Sequence, residues 1–473
     1  MSEYIHTMSL VEVASAIRDG RITAVQATEA CLAAIQAAQP CLNCFIDVEA
    51  DLALEQARAR DADLADGKTT GSLHGVPLAH KDLFERAGRP ANYGSAICRD
   101  HVATETATIM SRLDAAGAVT IGRLNQSEFA IGGTGHNDAF GDCRNPWDTE
   151  RITGGSSSGS GSAVAARLVY ASMGSDTGGS VRLPAALCGV VGLKTTYGRV
   201  SRHGGFPNTW SFDTFGPLAR TAEDAAVMLQ AIAGPDEADP MTAGVTVPDF
   251  CGDLERAGPR LDGLRIGLAE PDPFPDVDGS LRPAMDSATA VLADLGASLV
   301  PLEMPDTGHL HSLCETISKA EVATVHGEWM RTRADDYATA TYTRIETGFH
   351  VPAATYLQAK RAQAPALTEF TSAVFSKADV LLTPVVGFPT PTLAEIRIGS
   401  GEASVRTFAE ISRWTRWVNY LGVPALSVPC GFTNAGMPVA FQLIARPFAE
   451  GMLLRVGAAY QGATDWHHRA PQA

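Results

Sequence analysis

The sequence predicts an α/β protein with a central mixed β-sheet flanked by α-helices on both faces. Segments with helical spacing of apolar residues alternate along the chain with short apolar runs. Uninterrupted short runs are typical of strands covered on both faces, and the alternation of the two patterns is typical of α/β domains. Hydrophobic residues make up 45% and charged residues 19% of the 473 positions, which suits a globular protein with a sizeable core.

The elements follow one another in a regular order. Helical spacing predicts two helices across residues 9–37, broken near Gly20, and further helices at 49–65, 109–116 and 283–295. Short apolar runs predict strands at 45–48, 75–83, 118–122, 189–193, 264–268, 298–300, 379–383 and 425–428.

The chain contains no internal repeat, and its only loop-rich connector, residues 235–259, is short for a domain linker. We therefore predict a single domain over residues 1–473. Within it we distinguish a helical N-terminal region at 1–70, a core at 75–220 and a helical insertion at 305–375.

Charge and cysteine content limit the classes of function. The formal net charge is -16, which disfavours direct contact with nucleic acid or an anionic membrane but leaves open a partner subunit that carries RNA. No apolar run reaches about 18 residues and the N-terminus lacks a targeting pattern, so a cytoplasmic protein is expected. Nine scattered cysteines, with a lone C-x-x-C at Cys41 and Cys44, predict reduced packing residues and no metal site. The N-terminal helices leave a homodimer possible.

Two Gly/Ser-rich loops, at residues 153–162 and 174–180, are the most informative stretches of the chain. Glycines let backbone N–H groups converge on a ligand atom, and serine hydroxyls can act as nucleophiles. A flexible linker and a phosphate-binding loop are weaker interpretations, because apolar segments follow and no Gly-Lys-Ser/Thr motif is present. A nucleophile elbow centred on Ser157 is a third alternative, although residues 148–152 are too polar for the buried strand it requires.

Lys81 is the candidate base for a serine nucleophile, because no histidine occurs in an informative context. It lies in the apolar run 75–83, and burial lowers the pKa of a lysine. Spacing alone also permits a surface lysine at the end of a strand.

These residues resemble the amidase signature family. Gly75-Val76-Pro77 with Lys81-Asp82 resembles its lysine segment, Gly154-Gly155-Ser156 its cis-serine segment, and residues 174–180 the segment that ends in its nucleophile. The separations of 75 and 24 residues between Lys81, Ser156 and Ser180 agree with the family pattern. Similarity continues through residues 181–201, 216–218, 421–431 and 442–444, and is weakest at 235–375.

The resemblance implies an amidase-signature fold, no cofactor and a defined mechanism. Ser180 is expected to attack an amide carbonyl and form an acyl-enzyme, while its proton passes through Ser156 to Lys81. The backbone N–H groups expected to hold the oxyanion are those of Thr177, Gly178, Gly179 and Ser180. The Ala130 backbone is expected to face the substrate amide.

The function predicted first is hydrolysis of the carbon–nitrogen bond of a small, linear amide-like substrate, without nucleic acid or membrane. The alternatives are a carbamate or hydrazide hydrolase and the glutaminase subunit of a tRNA-dependent amidotransferase. The last is disfavoured because such subunits usually carry glutamine where Leu183 stands, and because no basic residues that would bind a carboxylate are evident.

Three further points concern the surroundings of the predicted site. Four aromatic residues are candidates for an acyl pocket, and each is equally consistent with a place in the core: Phe129, Phe206, Trp210 and Phe212. Ser158 and Arg167 replace glycines that are common in the family, and we expect Arg167 to lie at a helix end away from the site. Residues 305–375 carry no recognisable chemical motif and are expected to vary with substrate.

Overall fold

A computed structural model describes residues 5–69, 71–242, 244, 246–397 and 402–471. These ranges do not include the ends of the predicted 1–70 region and of the predicted 1–473 domain, which are residues 1–4, 70, 472 and 473. The thirteen strands among the described residues are β1 (Phe45–Val48), β2 (Pro77–Lys81), β3 (Val119–Leu124), β4 (Arg144–Asn145), β5 (Asp148–Ile152), β6 (Ala171–Asp176), β7 (Val191–Lys194), β8 (Thr214–Ala219), β9 (Arg265–Ala269), β10 (Ser298–Leu302), β11 (Val380–Pro384), β12 (Ala425–Phe432) and β13 (Pro438–Ala445).

The α-helices among the described residues occur along the whole chain. They are α1 (Leu10–Arg18), α2 (Ala24–Leu42), α3 (Ala50–Ala65), α4 (Thr108–Ala115), α5 (Ser158–Ala165), α6 (Arg182–Cys188), α7 (Ala222–Ile232), α8 (Phe250–Ala257), α9 (Arg282–Asp294), α10 (Thr307–Thr332), α11 (Thr339–Glu346), α12 (Ala353–Phe375), α13 (Glu402–Glu410), α14 (Arg416–Leu421) and α15 (Glu450–Gly462). None is long and apolar enough to cross a membrane within the described part of the chain.

Eleven of the strands form one sheet in the order β1-β3-β2-β6-β8-β7-β12-β13-β11-β9-β10. Strand β2 is parallel to both β3 and β6, and β9 is parallel to β10 and β11, whereas the other pairs are antiparallel. The predicted mixed α/β sheet is thereby confirmed.

Helices cover both faces of this sheet. Along β11, Val380 and Leu382 pack into the larger core with helices α1–α4, α7, α9 and α15, whereas Leu381 points to the opposite core with α10, α12 and α14. Successive side chains of a strand point to opposite faces, so this alternation identifies a strand covered on both sides.

The structure also contains strands that the sequence pattern did not reveal. Strand β6 is Ala-Ser-Met-Gly-Ser-Asp, which is fully buried but carries few large apolar residues. Strands β8 and β13 and helices α7 and α15 were likewise not predicted. The connector 235–259 contains the whole of α8, and residues 305–375 contain α10, α11 and α12. The division into one domain with these regions stays a prediction.

The sheet brings the candidate base and the start of the second Gly/Ser-rich loop together at one edge. Because β2 and β6 are adjacent and parallel, their carboxyl ends lie together, with Lys81 closing β2 and Ser175 and Asp176 closing β6. The carboxyl edge of parallel strands is the usual position for a site in α/β proteins.

Gly216 in β8 provides a test of how tightly the central strands pack. A Cβ at this position would lie 1.9 Å from the Leu193 carbonyl oxygen of β7, whereas a Cβ at Gly279 would meet nothing within 4 Å. We expect Gly216→Ala to lower the free energy of unfolding by about 1–3 kcal/mol through overpacking. Urea denaturation should show this loss, and Gly279→Ala is the matched control. Equal stability of the two variants would contradict the packing of β7 against β8.

Candidate active site

Lys81 is the centre of the site and is fully buried. Its Nζ donates to Ser156 Oγ at 2.7 Å and to Ser175 Oγ at 2.8 Å, and it has no ion pair among the described residues. The structure thus brings Lys81 and Ser156 together as predicted. It also places Ser175, which the sequence analysis did not single out, in the same network.

Burial controls the charge of this lysine. Desolvation lowers the pKa of Lys81 to about 7, although the charges of Asp176 and Asp213 oppose the shift. A neutral amine at neutral pH can accept a proton, whereas an ammonium group cannot. Lys81 is therefore suited to act as a general base.

The loop that carries Ser156 is enclosed by backbone on every side. The Gly155–Ser156 peptide bond is cis, the geometry that the family resemblance implies. The Gly155 N–H donates to the Gly133 carbonyl at 2.7 Å, and the Ser156 carbonyl accepts from Ser127 N–H at 3.0 Å. A Cβ on Gly155 would lie 2.6 Å from Gly135 N, so only glycine fits there.

Ser180 ends the second Gly-rich loop, which Asp176 organises from within. The Asp176 carboxylate accepts from Gly179 N–H at 2.8 Å and Val181 N–H at 3.2 Å, and it pairs with Arg182. Ser157 N–H donates to the Ser180 carbonyl at 3.3 Å, which joins the two loops beside Ser156. The loop that ends at Ser180 is thereby held against the loop that carries Ser156.

The expected oxyanion donors differ in their availability. Gly179 N–H donates to Asp176, so this amide serves the turn itself. The N–H groups of Gly178 and Ser180 have no hydrogen-bond acceptor among the described residues. Thr177 is held through its hydroxyl, which donates to Asp213 at 2.5 Å. Free N–H groups at the nucleophile are what a developing oxyanion requires.

Ala130 lies beside the same cavity in an unusual backbone conformation. Phe129 and Ala130 have φ values of 49° and 60°, which non-glycine residues rarely adopt. Asn208 Nδ2 donates to both of their carbonyls, at 3.2 and 3.0 Å. Asn208 is a supporting residue that the sequence analysis missed, since nothing in its local sequence points to segment 129–130.

A cavity of about 480 Å³ opens beside Ser180. Its lining comes from the Gly-rich loops, segment 130–133, helices α10 and α11, and the region around α13 and α14. The lining residues are Ala130, Ile131, Gly132, Gly133, Thr177, Gly178, Ser180, Leu183, Asn208, His311, Glu315, Ser318, Lys319, Val322, Thr343, Arg344, Thr347, Phe408, Ala409, Ile411, Ser412 and Arg416.

Two arginines in this cavity correct the sequence analysis, which found no basic residues able to bind a carboxylate. Arg344 and Arg416 line the cavity, and neither guanidinium group has a hydrogen-bond or ion-pair partner within the described ranges. Burial and the charge of Arg416 lower the pKa of Arg344 to about 10, so the Arg344 guanidinium stays charged at neutral pH. They were missed because they lie in helical segments far along the chain from the serine loops.

The predicted aromatic acyl pocket is not formed. Phe129 and Phe206 pack with Trp329, Tyr93 and Tyr337, Phe212 lies in the α10–α12 core, and Trp210 is 40% exposed. None of the four predicted residues lines the cavity beside Ser180. Leu183, in contrast, is a lining residue.

The remaining serines and Arg167 have structural contacts. Ser157 Oγ is buried and bonds to the Ser175 backbone. Strand β5 before it pairs with β4 outside the eleven-stranded sheet, so the elbow alternative lacks its buried strand. Ser158 Oγ donates to the Asn125 carbonyl at 3.3 Å. Arg167 follows α5 with φ 58°, where glycine would be unstrained, and donates to the His468 carbonyl at 2.8 Å, as expected at a helix end.

Comparison with known proteins identifies the class. The Amidase family model matches residues 26–454, so the chain belongs to the amidase family. It is accordingly a hydrolase acting on carbon–nitrogen bonds, as the sequence predicted.

Two individual relatives are similar to the chain over nearly its whole length. The chain is 39% identical over 490 residues, covering 99% of both chains, to the A subunit of glutamyl-tRNA(Gln) amidotransferase from Chloroflexus aurantiacus. It is 39% identical to the corresponding protein of Azotobacter vinelandii, covering 99% of this chain and 100% of the relative.

Solved structures share the fold across almost the whole chain. One belongs to an unexpected vestigial protein complex that reveals the evolutionary origins of an s-triazine catabolic enzyme, with TM-score 0.89, 35% identity and coverage of 96% and 98%. Another is the native peptide amidase of Stenotrophomonas maltophilia, with TM-score 0.82, 30% identity and 98% coverage of both chains.

The relatives overturn one sequence-based expectation. We predicted a self-sufficient enzyme for a small amide-like substrate, without nucleic acid and with at most a second copy as partner. The full-length relatives are named as A subunits of glutamyl-tRNA(Gln) amidotransferase. The prediction failed because it gave decisive weight to Leu183 and missed Arg344 and Arg416. The alternative stated beside it, the glutaminase subunit, agrees better with these relatives.

The lowered pKa of Lys81 predicts a pH profile for acylation of the site. The neutral amine predominates above about pH 7, so the rate of modification by a fluorophosphonate should rise from pH 5 and level off above pH 8. One unit below this pKa the rate should be roughly tenfold under its plateau. Mass spectrometry of samples quenched at successive times measures the rate at which the adduct forms. A rate independent of pH between 5 and 8 would contradict a Lys81 base.

Proposed function

We propose that the chain is the amide-hydrolysing subunit of an amidotransferase-type assembly, in which it releases ammonia from a linear primary amide that carries a carboxylate. The single observation that carries this proposal is the cavity that joins Ser180 to the unpartnered Arg344 and Arg416. The relatives named as amidotransferase subunits support it.

The proposed reaction begins with proton transfer towards Lys81. Neutral Lys81 accepts the Ser156 hydroxyl proton across the 2.7 Å hydrogen bond, and Ser156 takes the proton of Ser180. Ser180 Oγ then forms a bond to the amide carbon. This use of a serine between nucleophile and lysine extends the triad principle to a lysine base.

The second half of the reaction reverses the proton path. The proton on Lys81 returns through Ser156 to the amide nitrogen, and the carbon–nitrogen bond breaks. Ammonia departs, and the acyl group remains bound to Ser180. A water molecule, deprotonated by the same relay, hydrolyses the acyl group to a carboxylate. In both tetrahedral states the oxyanion is positioned to accept from Gly178 and Ser180 N–H groups, each contributing about 3–4 kcal/mol.

The first test maps the nucleophile and its base. A fluorophosphonate should label Ser180, and peptide mapping should find no adduct on Ser157. Lys81→Ala should lower the labelling rate by roughly a hundredfold or more, because the base no longer exists. Lys68→Ala is the matched control, since Lys68 is exposed and pairs with Asp66. Labelling of Ser157, or a Lys81→Ala rate above about a tenth of wild type, would contradict these roles.

The second test concerns the donor and the assembly. The tagged chain should be purified under mild conditions with its bound partners, and ammonia release should be measured with glutamine, glutaramate, succinamate and uncharged butyramide. We expect the carboxylate-bearing amides to be the better donors. Arg344→Ala should lower their kcat/KM by roughly tenfold or more, because a charged hydrogen bond is lost.

Controls separate this effect from misfolding. Arg344→Ala should change the rate of butyramide hydrolysis less than twofold. Arg361→Ala, at an exposed position, should change the hydrolysis rate of neither kind of substrate. Butyramide hydrolysed as well as the carboxylate-bearing amides would contradict the donor assignment. Full activity of a chain that purifies without any other protein would contradict the assembly.

A further inference from the structure

The charges that face the cavity are unbalanced. Its only acidic residue among the described ranges, Glu315, pairs with Lys319 at 2.9 Å. Burial lowers the pKa of His311 to about 4, so this side chain is neutral near pH 7. Arg344 and Arg416 are left as two unpaired positive charges, and no unpaired carboxylate faces them among the lining residues described.

The two arginines approach the reacting centre from different segments of the chain. Arg416 begins α14, and the preceding Thr415 donates through its hydroxyl to the Gly178 carbonyl at 2.6 Å. A Cβ on Gly178 would lie 3.5 Å from Arg416 Nε, so this guanidinium is beside the proposed oxyanion turn. A Cβ on Gly132 would lie 3.2 Å from Arg344 Nη1, so this guanidinium is beside segment 130–133.

Part of the wall near the nucleophile is apolar. Leu183, Ile131 and Ile411 line the cavity, with Leu183 almost fully buried. Such a surface suits a short methylene chain between the amide and a charged end. The Arg344 guanidinium is itself packed over the Phe408 ring at 4.8 Å, which fixes its position.

We infer that the ammonia donor is the monoamide of a short dicarboxylic acid without an amino group, with its free carboxylate held by both Arg344 and Arg416. This inference rests on the proposed function and narrows its substrate class. A carboxylate accepts hydrogen bonds from two guanidinium groups, each of which offers a planar fork of donors. An ammonium group beside that carboxylate, as in glutamine, would face two like charges with no counter-charge, and such a juxtaposition weakens binding.

Binding measurements with an inactive assembly test this inference apart from catalysis. In Ser180→Ala the amide stays intact, so calorimetry can compare glutaramate with L-glutamine, which differs by one amino group. We expect glutaramate to bind at least tenfold more tightly. Adding Arg416→Gln should weaken glutaramate at least tenfold and reduce the preference to threefold or less, and Arg416→Lys should restore part of it. Arg361→Gln, on the exposed face of α12, is the matched control.

The outcomes separate the two proposals. Glutamine binding as tightly as glutaramate, no binding of either amide, or an unchanged preference in Arg416→Gln overturns the inference. The proposed function fails separately, if the wild-type assembly releases no ammonia from any carboxylate-bearing amide. Ammonia release from glutamine in preference to glutaramate would uphold the proposed function and overturn this inference.

Discussion

The buried ion pair between Asp176 and Arg182 is the interaction on which the site depends. Both side chains have no exposed surface, and burial alone would raise the pKa of Asp176, but the Arg182 guanidinium holds it far below its usual range. Arg182 also donates to Gln442 and Asn419, so strand β13 and helix α14 are fixed to the same centre. A buried pair of this kind is costly to desolvate and strongly destabilising to break. Its value here is positional, because the carboxylate sets the shape of the turn that ends at Ser180.

The same carboxylate influences the base through space. Asp176 and Asp213 both favour the charged form of Lys81, yet neither bonds to it, and desolvation outweighs them. A direct carboxylate partner would hold the lysine as ammonium and abolish its basicity. Serine hydroxyls take the place of such a partner, since Ser156 and Ser175 accept its hydrogen bonds without adding a full charge. The separation of Asp176 and Asp213 from the Lys81 amine is therefore as important for its basicity as their charge.

How much of this could be predicted from the sequence differs between the two parts of the site. The sequence motifs and their spacing located Lys81, Ser156 and Ser180. Each of these residues lies in a short segment whose glycines, serines or apolar residues are required by the local backbone. Their catalytic roles stay predictions. Strand β6 was missed because close packing against the serine loop requires small residues: a Cβ on Gly174 would lie 2.8 Å from Ser157 Oγ. Arg344 and Arg416 were missed because only tertiary folding brings helices α11 and α14 to the nucleophile.

Net charge misled the sequence analysis for a related reason. A total of -16 describes the average field around this one chain and bears on its own contacts with anions. It does not describe an assembly in which another protein carries RNA, nor the field inside a cavity. In the cavity, low-dielectric walls strengthen the electric field of the two unpaired guanidinium groups. The field of the surface acids, in contrast, is screened by water and salt. An acidic chain can therefore present a strongly positive site to a small anionic donor.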